Sequence, residues 1–362
     1  MVVGDNRFDF NPGRGRRVLL SVDGGGMRGA IVTAMLAELE TQLGRPIYDL
    51  VDMVGGTSTG AIIAVAIGLG MTAQEILDSV YKDRLPRAFG SRGWTTWFNF
   101  ARSGFRHLYD QQRFVHELAS MVAGKRIRDL KKPIVLMTTK DLRTSNTYFI
   151  VSAGPGAATF ADWPVTGAVA ASGAAPIYFQ PVLGNLVDGG VGVYTNPCLA
   201  NAIEAMEYIG AEAGFVDGNV VHLSIGTGYS PNNAASGAAS RWHILNWVLY
   251  VIGESLEDTA IQQAVVTRSI YGERMDFRRY NPLLTLENVR DVLKVPPGKL
   301  NPGKLALDSN DPAEIELMEA IGRAYARAID WRQPDVMPWQ TTGGHPKPEI
   351  MAVDWQGAPF NI

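Results

Sequence analysis

A short glycine-rich stretch, Gly55-Gly56-Thr57-Ser58-Thr59-Gly60, joins an apolar run at residues 50–54 to small apolar residues at 61–69. This pattern predicts a strand, a sharp turn and a helix, with Ser58 at the apex of the turn. Glycines on both sides leave room for the serine hydroxyl, because larger side chains would collide with the neighbouring strand and helix. The N-terminus of the helix favours negative charge on the serine oxygen. We therefore predict that Ser58 is a nucleophile.

A second glycine turn, Asp23-Gly24-Gly25-Gly26-Met27-Arg28-Gly29, follows the apolar run 18–22 and precedes a predicted helix that ends near Gly44. Its glycines match G-x-G-x-x-G, so a nucleotide-binding module is an alternative. That fingerprint expects an acidic residue at the end of the second strand, whereas here the second strand ends in the Ser58 turn. The other use of such a loop is to direct backbone N–H groups at a developing oxyanion. Both turns are expected at the carboxyl ends of neighbouring parallel strands.

A serine nucleophile needs a proton acceptor, and histidine is the common one. His222 lies within a predicted strand, where a buried and satisfied imidazole is expected, and His243 adjoins Trp242 on an apolar helix. A carboxylate is the alternative, and Asp188-Gly189-Gly190 follows a short apolar strand. Burial beside the serine would make that carboxylate a better base, although in isolation the motif reads as an ordinary turn. The full set of candidate histidines is His107, His116, His222, His243 and His345.

Composition bounds the class of protein. A chain of 362 residues with 46% hydrophobic and 19% charged residues predicts a folded protein with one large α/β domain and an appendage. A net charge of −3 does not favour a nucleic-acid partner. The single Cys198 excludes an internal disulfide, and no apolar stretch matches a secretion signal or the roughly 20 residues of a membrane span. We expect a cytoplasmic protein.

An aromatic cluster lies within the arginine-flanked segment 87–106 and comprises Trp94, Trp97 and Phe98. Aromatic rings favour the headgroup level of a membrane, and arginine pairs with phosphate. The segment is therefore a candidate lid or lipid-interface patch, and a helix that packs its rings into the core is the alternative.

Taken together and in this order, the three glycine motifs resemble those of the patatin-like phospholipases. Further matches are Ala171-Ser172-Gly173-Ala174-Ala175-Pro176-Ile177-Tyr178-Phe179, Asn196-Pro197 and Ser224-Ile225-Gly226-Thr227-Gly228. The resemblance covers roughly residues 16–230. It departs from the family where many members have paired asparagines before the proline and this chain has Thr195-Asn196.

The resemblance implies an α/β protein with a three-layer α/β/α fold and a mainly parallel central sheet. We expect a phospholipase domain at residues 16–230 and a mostly helical C-terminal extension at 231–362 packed on it. The glycines carried over from the family motifs are Gly24, Gly29, Gly56, Gly60, Gly189 and Gly190.

The resemblance also implies a carboxylic ester hydrolase that works without metal, cofactor or histidine. Ser58 would attack a lipid ester while Asp188 takes its proton. Backbone N–H groups of Gly25, Gly26 and Met27 would bind the oxyanion, and Arg28 would order the loop or lie near a phosphate.

The implied partners are a phospholipid or other acyl lipid and, transiently, the membrane surface. Bacterial members of similar size include antiphage effectors that cyclic nucleotides switch on and that degrade the cell's own membrane. A cyclic-nucleotide activator is therefore an open alternative, as is a homo-oligomer.

Overall fold

The computed structural model describes residues 16–90, 107–231 and 238–331. Within these ranges seven strands form one sheet with the order β4-β3-β2-β1-β6-β7, and β5 pairs with β3. The strands are β1 (Arg17–Val22), β2 (Met53–Gly56), β3 (Ile134–Asp141), β4 (Asn146–Val151), β5 (Leu186–Asp188), β6 (Val220–Ile225) and β7 (Asp276–Tyr280).

The sheet is mostly parallel, as predicted. Strands β3, β2, β1, β6 and β7 run in one direction, while β4 and β5 pair with β3 in the antiparallel sense. Strand β4 pairs along one edge of β3. Strands β2 and β5 therefore share the other edge of β3. Gly56 at the end of β2 pairs with Met137, and Asp188 at the end of β5 pairs with Thr139. The register thus places Asp188 just beyond the end of β2.

Helices cover both faces of the sheet, which confirms the three-layer α/β/α prediction. Successive strand residues point to opposite faces: Leu20 and Val54 join one core and Leu19 and Met53 the other. The helices are α1 (Gly29–Leu43), α2 (Ile47–Leu50), α3 (Thr59–Gly68), α4 (Ala73–Ile76), α5 (Leu85–Phe89), α6 (Gln111–Val122), α7 (Ala157–Phe160), α8 (Val165–Ser172), α9 (Cys198–Ile203), α10 (Ile244–Tyr271) and α11 (Pro312–Ala328), with π-helical stretches at Leu77–Arg84, Glu204–Ile209 and Asn288–Val292.

The C-terminal third supplies more than helices. Helices α10 and α11 agree with the predicted helical character, but β7 also extends the central sheet, in parallel register with β6. The predicted boundary at residue 230 remains a prediction, and a sheet that continues past it was not foreseen. Across the described ranges, none of the helices combines the length and apolar character needed to cross a bilayer.

Two sequence predictions fall on parts of the chain that the structure does not describe. The aromatic cluster Trp94, Trp97 and Phe98 lies outside the described residues, and so does His345.

Candidate active site

Ser58 occupies a sharp turn between β2 and α3. Its backbone has φ 56° and ψ −120°, a conformation that costs energy for any residue with a side chain. A Cβ added to Gly56 would lie 2.0 Å from the carbonyl oxygen of Gly60, and one added to Gly60 would lie 2.2 Å from that of Val22. Only hydrogen fits at these two positions, because the turn is packed against itself and against the end of β1.

The turn is held by side chains from other parts of the chain. The backbone N–H of Ser58 donates to Ser172 Oγ over 2.9 Å, and Thr57 Oγ1 donates to the Tyr194 carbonyl over 2.6 Å. Ser172 ends α8 and is fully buried. Ser172 belongs to one of the stretches that resemble the family, but no role was predicted for it. The sequence signal for Ser172 was its place as a small polar residue at the end of a small-residue helix, directly before Gly173.

Asp188 lies next to Ser58, as the strand register requires. Its carboxylate accepts a hydrogen bond from the Gly190 N–H at 2.8 Å, and the Ser58 side chain lies close enough to lower its pKa. Burial raises the pKa of Asp188 to about 6, and the Gly190 N–H and the Ser58 side chain oppose the rise. The side chain is therefore a stronger base than an ordinary aspartate and is still mostly ionised at neutral pH.

The glycine loop before α1 contacts the same turn. A Cβ added to Gly24 would lie 3.3 Å from Ser58 Cβ. Gly26 has φ 54°, and a Cβ there would meet the Leu307 carbonyl oxygen at 2.0 Å. Among the described residues, no hydrogen-bond partner of the Gly25 or Gly26 N–H is found. These two amides are available to a ligand.

Met27 was also predicted to donate to the oxyanion, but its N–H is used elsewhere. It donates to the carbonyl of Leu307 over 2.7 Å, and the N–H of Arg28 donates to the Gly25 carbonyl over 3.1 Å. The sequence could not reveal this, because Leu307 comes from a distant segment that carries no motif. Of the three backbone N–H groups predicted to bind the oxyanion, those of Gly25 and Gly26 are therefore the two without a partner among the described residues.

Arg28 makes contacts with the C-terminal third. Its Nε donates to the Leu305 carbonyl over 3.0 Å, and its Nη1 lies 3.8 Å from Glu257 Oε1 on α10. Burial lowers the pKa of Arg28, and Glu257 opposes that shift. Burial likewise raises the pKa of Glu257 to about 7. Of the two roles implied for Arg28, ordering the loop is the one that these contacts favour.

Asp23 begins the loop and is paired with an arginine that the sequence analysis did not identify. Arg279 on β7 donates from both terminal nitrogens to the Asp23 carboxylate, with Nη1 at 2.7 Å from Oδ1. Both side chains are 5% exposed. Arg279 was missed because no strand was predicted around it and because arginine is rarely buried.

His222 is buried as predicted, but it is not fully satisfied, because its Nδ1 has no hydrogen-bond partner among the described residues. It lies on β6, contacts Ser21 Oγ at 2.7 Å, and burial lowers its pKa to about 3. The hydrogen bond that its Nε2 makes is with Ser21 on β1, and not with a residue of the Ser58 turn. His243 is exposed at the start of α10.

This chain is similar in sequence to several known proteins. A potato protein (Solanum tuberosum), patatin-04/09, is 24% identical over 332 residues, which cover 84% of this chain and 82% of its own. A cGAMP-activated phospholipase of Vibrio cholerae is 30% identical over 175 residues, covering 45% and 49%. The chain spans only 7% and 23% of two further curated relatives. The crystal structure of VipD from Legionella pneumophila covers 84% of this chain and 66% of its own, with 11% identity and a TM-score of 0.39.

A family model described as patatin-like phospholipase matches residues 20–201, half of the 362-residue chain. The matched segment contains the glycine loop, the Ser58 turn and Asp188. The chain therefore belongs to the patatin-like phospholipase family.

Proposed function

We propose that this chain hydrolyses fatty-acyl esters of membrane lipids, as a phospholipase A or lysophospholipase does, with Ser58 as nucleophile and Asp188 as base. The observation that carries the proposal is the proximity of Ser58 to a buried carboxylate, whose pKa the serine side chain lowers. Ser58 and this carboxylate lie beside a loop with two amides that have no hydrogen-bond partner in the part of the chain that the structure describes. A nucleophile, a base in contact with it and nearby oxyanion donors are the parts that acyl transfer requires.

In the first half-reaction, Ser58 Oγ bonds to the ester carbonyl carbon and its proton moves to Asp188. The carbonyl electron pair moves onto oxygen, where the Gly25 and Gly26 amides and the N-terminus of α3 stabilise the charge. The bond to the leaving alcohol then breaks, and Asp188 returns the proton to that alcohol. An acyl-enzyme on Ser58 remains.

In the second half-reaction, water takes the place of the alcohol. Asp188 accepts a proton as the water oxygen attacks the acyl carbon, and the proton then passes to Ser58 Oγ as the ester to the enzyme breaks. A pKa near 6 suits both tasks, because the group must accept and release a proton near neutral pH.

The test is fatty-acid release from phosphatidylcholine vesicles by wild type and by Ser58→Ala and Asp188→Asn. Both variants are expected to be inactive while far-UV circular dichroism remains unchanged, and a fluorophosphonate probe should label wild type but not Ser58→Ala. If Asp188→Asn hydrolysed lipid at the wild-type rate, the proposed base would be wrong.

The substrate is part of a bilayer, so the proposal includes transient contact with the membrane surface through Trp94, Trp97 and Phe98. Alanine variants at these positions should lose activity on vesicles and keep it on monomeric short-chain esters, because only vesicles present an interface. Equal losses on the two substrates would contradict this part.

A second candidate function is the same chemistry under the control of a cyclic nucleotide. Its support is the similarity over 175 residues to a relative described as a cGAMP-activated phospholipase. Activity that appears only when a cyclic dinucleotide is added would establish it. Tight binding of NAD or ATP without probe labelling would instead favour the nucleotide-binding module.

A further inference from the structure

We propose that Arg279 is a positioning residue that sets the direction of the Gly25 and Gly26 amides through its ion pair with Asp23. The inference rests on the proposed function, because the direction of these amides matters only if they bind an oxyanion. Arg279 lies on β7, outside the segment 20–201 that matches the family model.

The ion pair is suited to fixing orientation. Two N–H groups of the guanidinium meet two oxygens of one carboxylate, and such a bidentate pair fixes the relative plane of the two groups as well as their distance. Both side chains are 5% exposed, so water does not compete for these bonds. The carboxylate of Asp23 cannot rotate without breaking them.

Asp23 transmits this constraint to the loop over a very short distance, since Gly24 and Gly25 follow it directly. The Asp23 N–H donates to the Ile225 carbonyl over 3.1 Å. The Gly24 N–H donates to the Thr195 carbonyl over 2.8 Å, and its carbonyl accepts from Thr227 Oγ1 over 2.9 Å. These three hydrogen bonds therefore hold the start of the loop in position.

Arg279 also joins this frame to the region after Asp188. Its Nη1 donates to Ser224 Oγ over 3.0 Å, and Asn196 Nδ2 donates to the same hydroxyl over 3.0 Å. Asn196 is adjacent to Thr195, the residue that accepts from Gly24. One guanidinium thus links the end of β6, the glycine loop and the segment that follows the base.

The loop needs such a frame because it has no side chains to direct it. Gly25 and Gly26 have φ of 158° and 54°, and glycine populates these regions as readily as others. Only the anchors on either side determine which way the two N–H groups point. A misdirected amide stabilises the transition state poorly, and losing one donor costs about 100-fold or more in rate.

The adjacent residue provides a matched control. Arg278 is also buried, at 3% exposure, but it points to the opposite face of the sheet. It bonds to Asp276 and to the Trp331 carbonyl, away from the glycine loop. Lysine at either position keeps the charge and loses the bidentate geometry.

The experiment compares Arg279→Lys with Arg278→Lys on a monomeric short-chain ester. Arg279→Lys should lower kcat by about 10- to 100-fold with KM changed less than about threefold, whereas Arg278→Lys should keep kcat within about twofold at a similar loss of Tm. Affinity for a trifluoromethyl ketone, which forms a tetrahedral adduct with the serine, should fall in parallel with kcat/KM in Arg279→Lys alone. Equal effects of the two variants on kcat would overturn the proposal.

If Arg279→Lys fails to fold, the double variant Asp23→Asn/Arg279→Gln replaces both charges by neutral amides, so that neither position is left as an unpaired buried charge. It should fold and bind the ketone about tenfold or more weakly, and wild-type affinity would reject the inference. Absence of hydrolysis by the wild type would instead reject the proposed function, so the two failures are distinguishable.

Discussion

Ser58 lies close enough to Asp188 to lower the pKa of that carboxylate, which burial nevertheless makes more basic than an ordinary aspartate. The contact follows from strand order, because β5 continues along the edge of β3 where β2 ends. Asp188 thus faces the Ser58 turn although it comes much later in the chain. A carboxylate placed by a sheet does not depend on loop conformation, so its position relative to Ser58 is well defined.

The activity should depend on the ionisation of Asp188. We expect kcat/KM on a monomeric ester to fall about tenfold per pH unit below pH 6 and to be constant above it, because only the ionised carboxylate accepts the serine proton. Burial raises the pKa of Asp188 to about 6, which sets the inflection. A profile from pH 4.5 to 8 measures it.

Glu257 is the control for that profile, since burial raises its pKa to about 7. Glu257→Gln should leave the inflection near pH 6 in place. Movement of the inflection in this variant would assign it to Glu257 and not to Asp188.

Replacing the base should stabilise the fold at neutral pH. A carboxyl whose pKa is raised on folding, here from 3.8 to about 6, destabilises the protein in its charged form. The free energy of unfolding therefore falls as the pH rises from about 4, and the loss is complete above about 6. Asp188→Asn should therefore unfold at higher denaturant than wild type at pH 7.5, by up to about 3 kcal/mol, and the difference should shrink toward pH 4. A constant difference at both pH values would contradict the raised pKa.

Ser172 should matter for catalysis without touching the reacting atoms. Ser172→Ala removes the acceptor of the Ser58 N–H and leaves that amide unpaired, at a cost of about 1–3 kcal/mol. We expect a loss of about tenfold in kcat as the strained turn relaxes.

Ser152→Ala is the comparison for this variant. Its hydroxyl accepts the Val135 N–H over 2.9 Å, a similar bond that does not involve the Ser58 turn. Equal kcat values for the two alanine variants would show that the Ser172 bond does not position the nucleophile.

Gly56→Ala should prevent formation of the Ser58 turn. The new methyl group would lie 2.0 Å from the Gly60 carbonyl oxygen and 2.5 Å from the Ala61 nitrogen, and both are backbone atoms that cannot move aside. We expect poor soluble yield and no labelling by a fluorophosphonate probe.

Gly167→Ala is the matched change at a helical glycine with no atom within 4 Å of the new methyl group. It should be active and more stable by about 0.5–1 kcal/mol. If Gly56→Ala folded and reacted like Gly167→Ala, the packing of the turn would be looser than described.

Local patterns in the sequence were sufficient to predict the strands that carry the site. The apolar run before each glycine turn predicted β1 and β2, and the short strand predicted to lead into Asp188 matches β5, which comprises Leu186, Val187 and Asp188 itself. His222 was predicted to be buried because it lies inside a strand, and it is fully buried. These predictions succeed because the pattern and the structural element occupy the same few residues.

Contacts between distant segments were not predictable in the same way. The bond from Met27 to Leu307 and the pair of Asp23 with Arg279 each join the motif region to a segment without motifs. A buried arginine violates the usual preference of charged residues for the surface. The burial of Arg279 is explained only by its ion pair with Asp23. The two residues are far apart in the sequence and meet only in the folded chain.

Strand β7 has a practical consequence for any attempt to isolate a minimal enzyme. A fragment ending at residue 230 would keep Ser58 and Asp188 but would leave β6 as an uncovered border of the sheet, with its main-chain groups facing solvent. Such borders recruit strands from other molecules, and β6 is buried along its whole length. The shortened polypeptide should self-associate before any loss of chemistry could be measured.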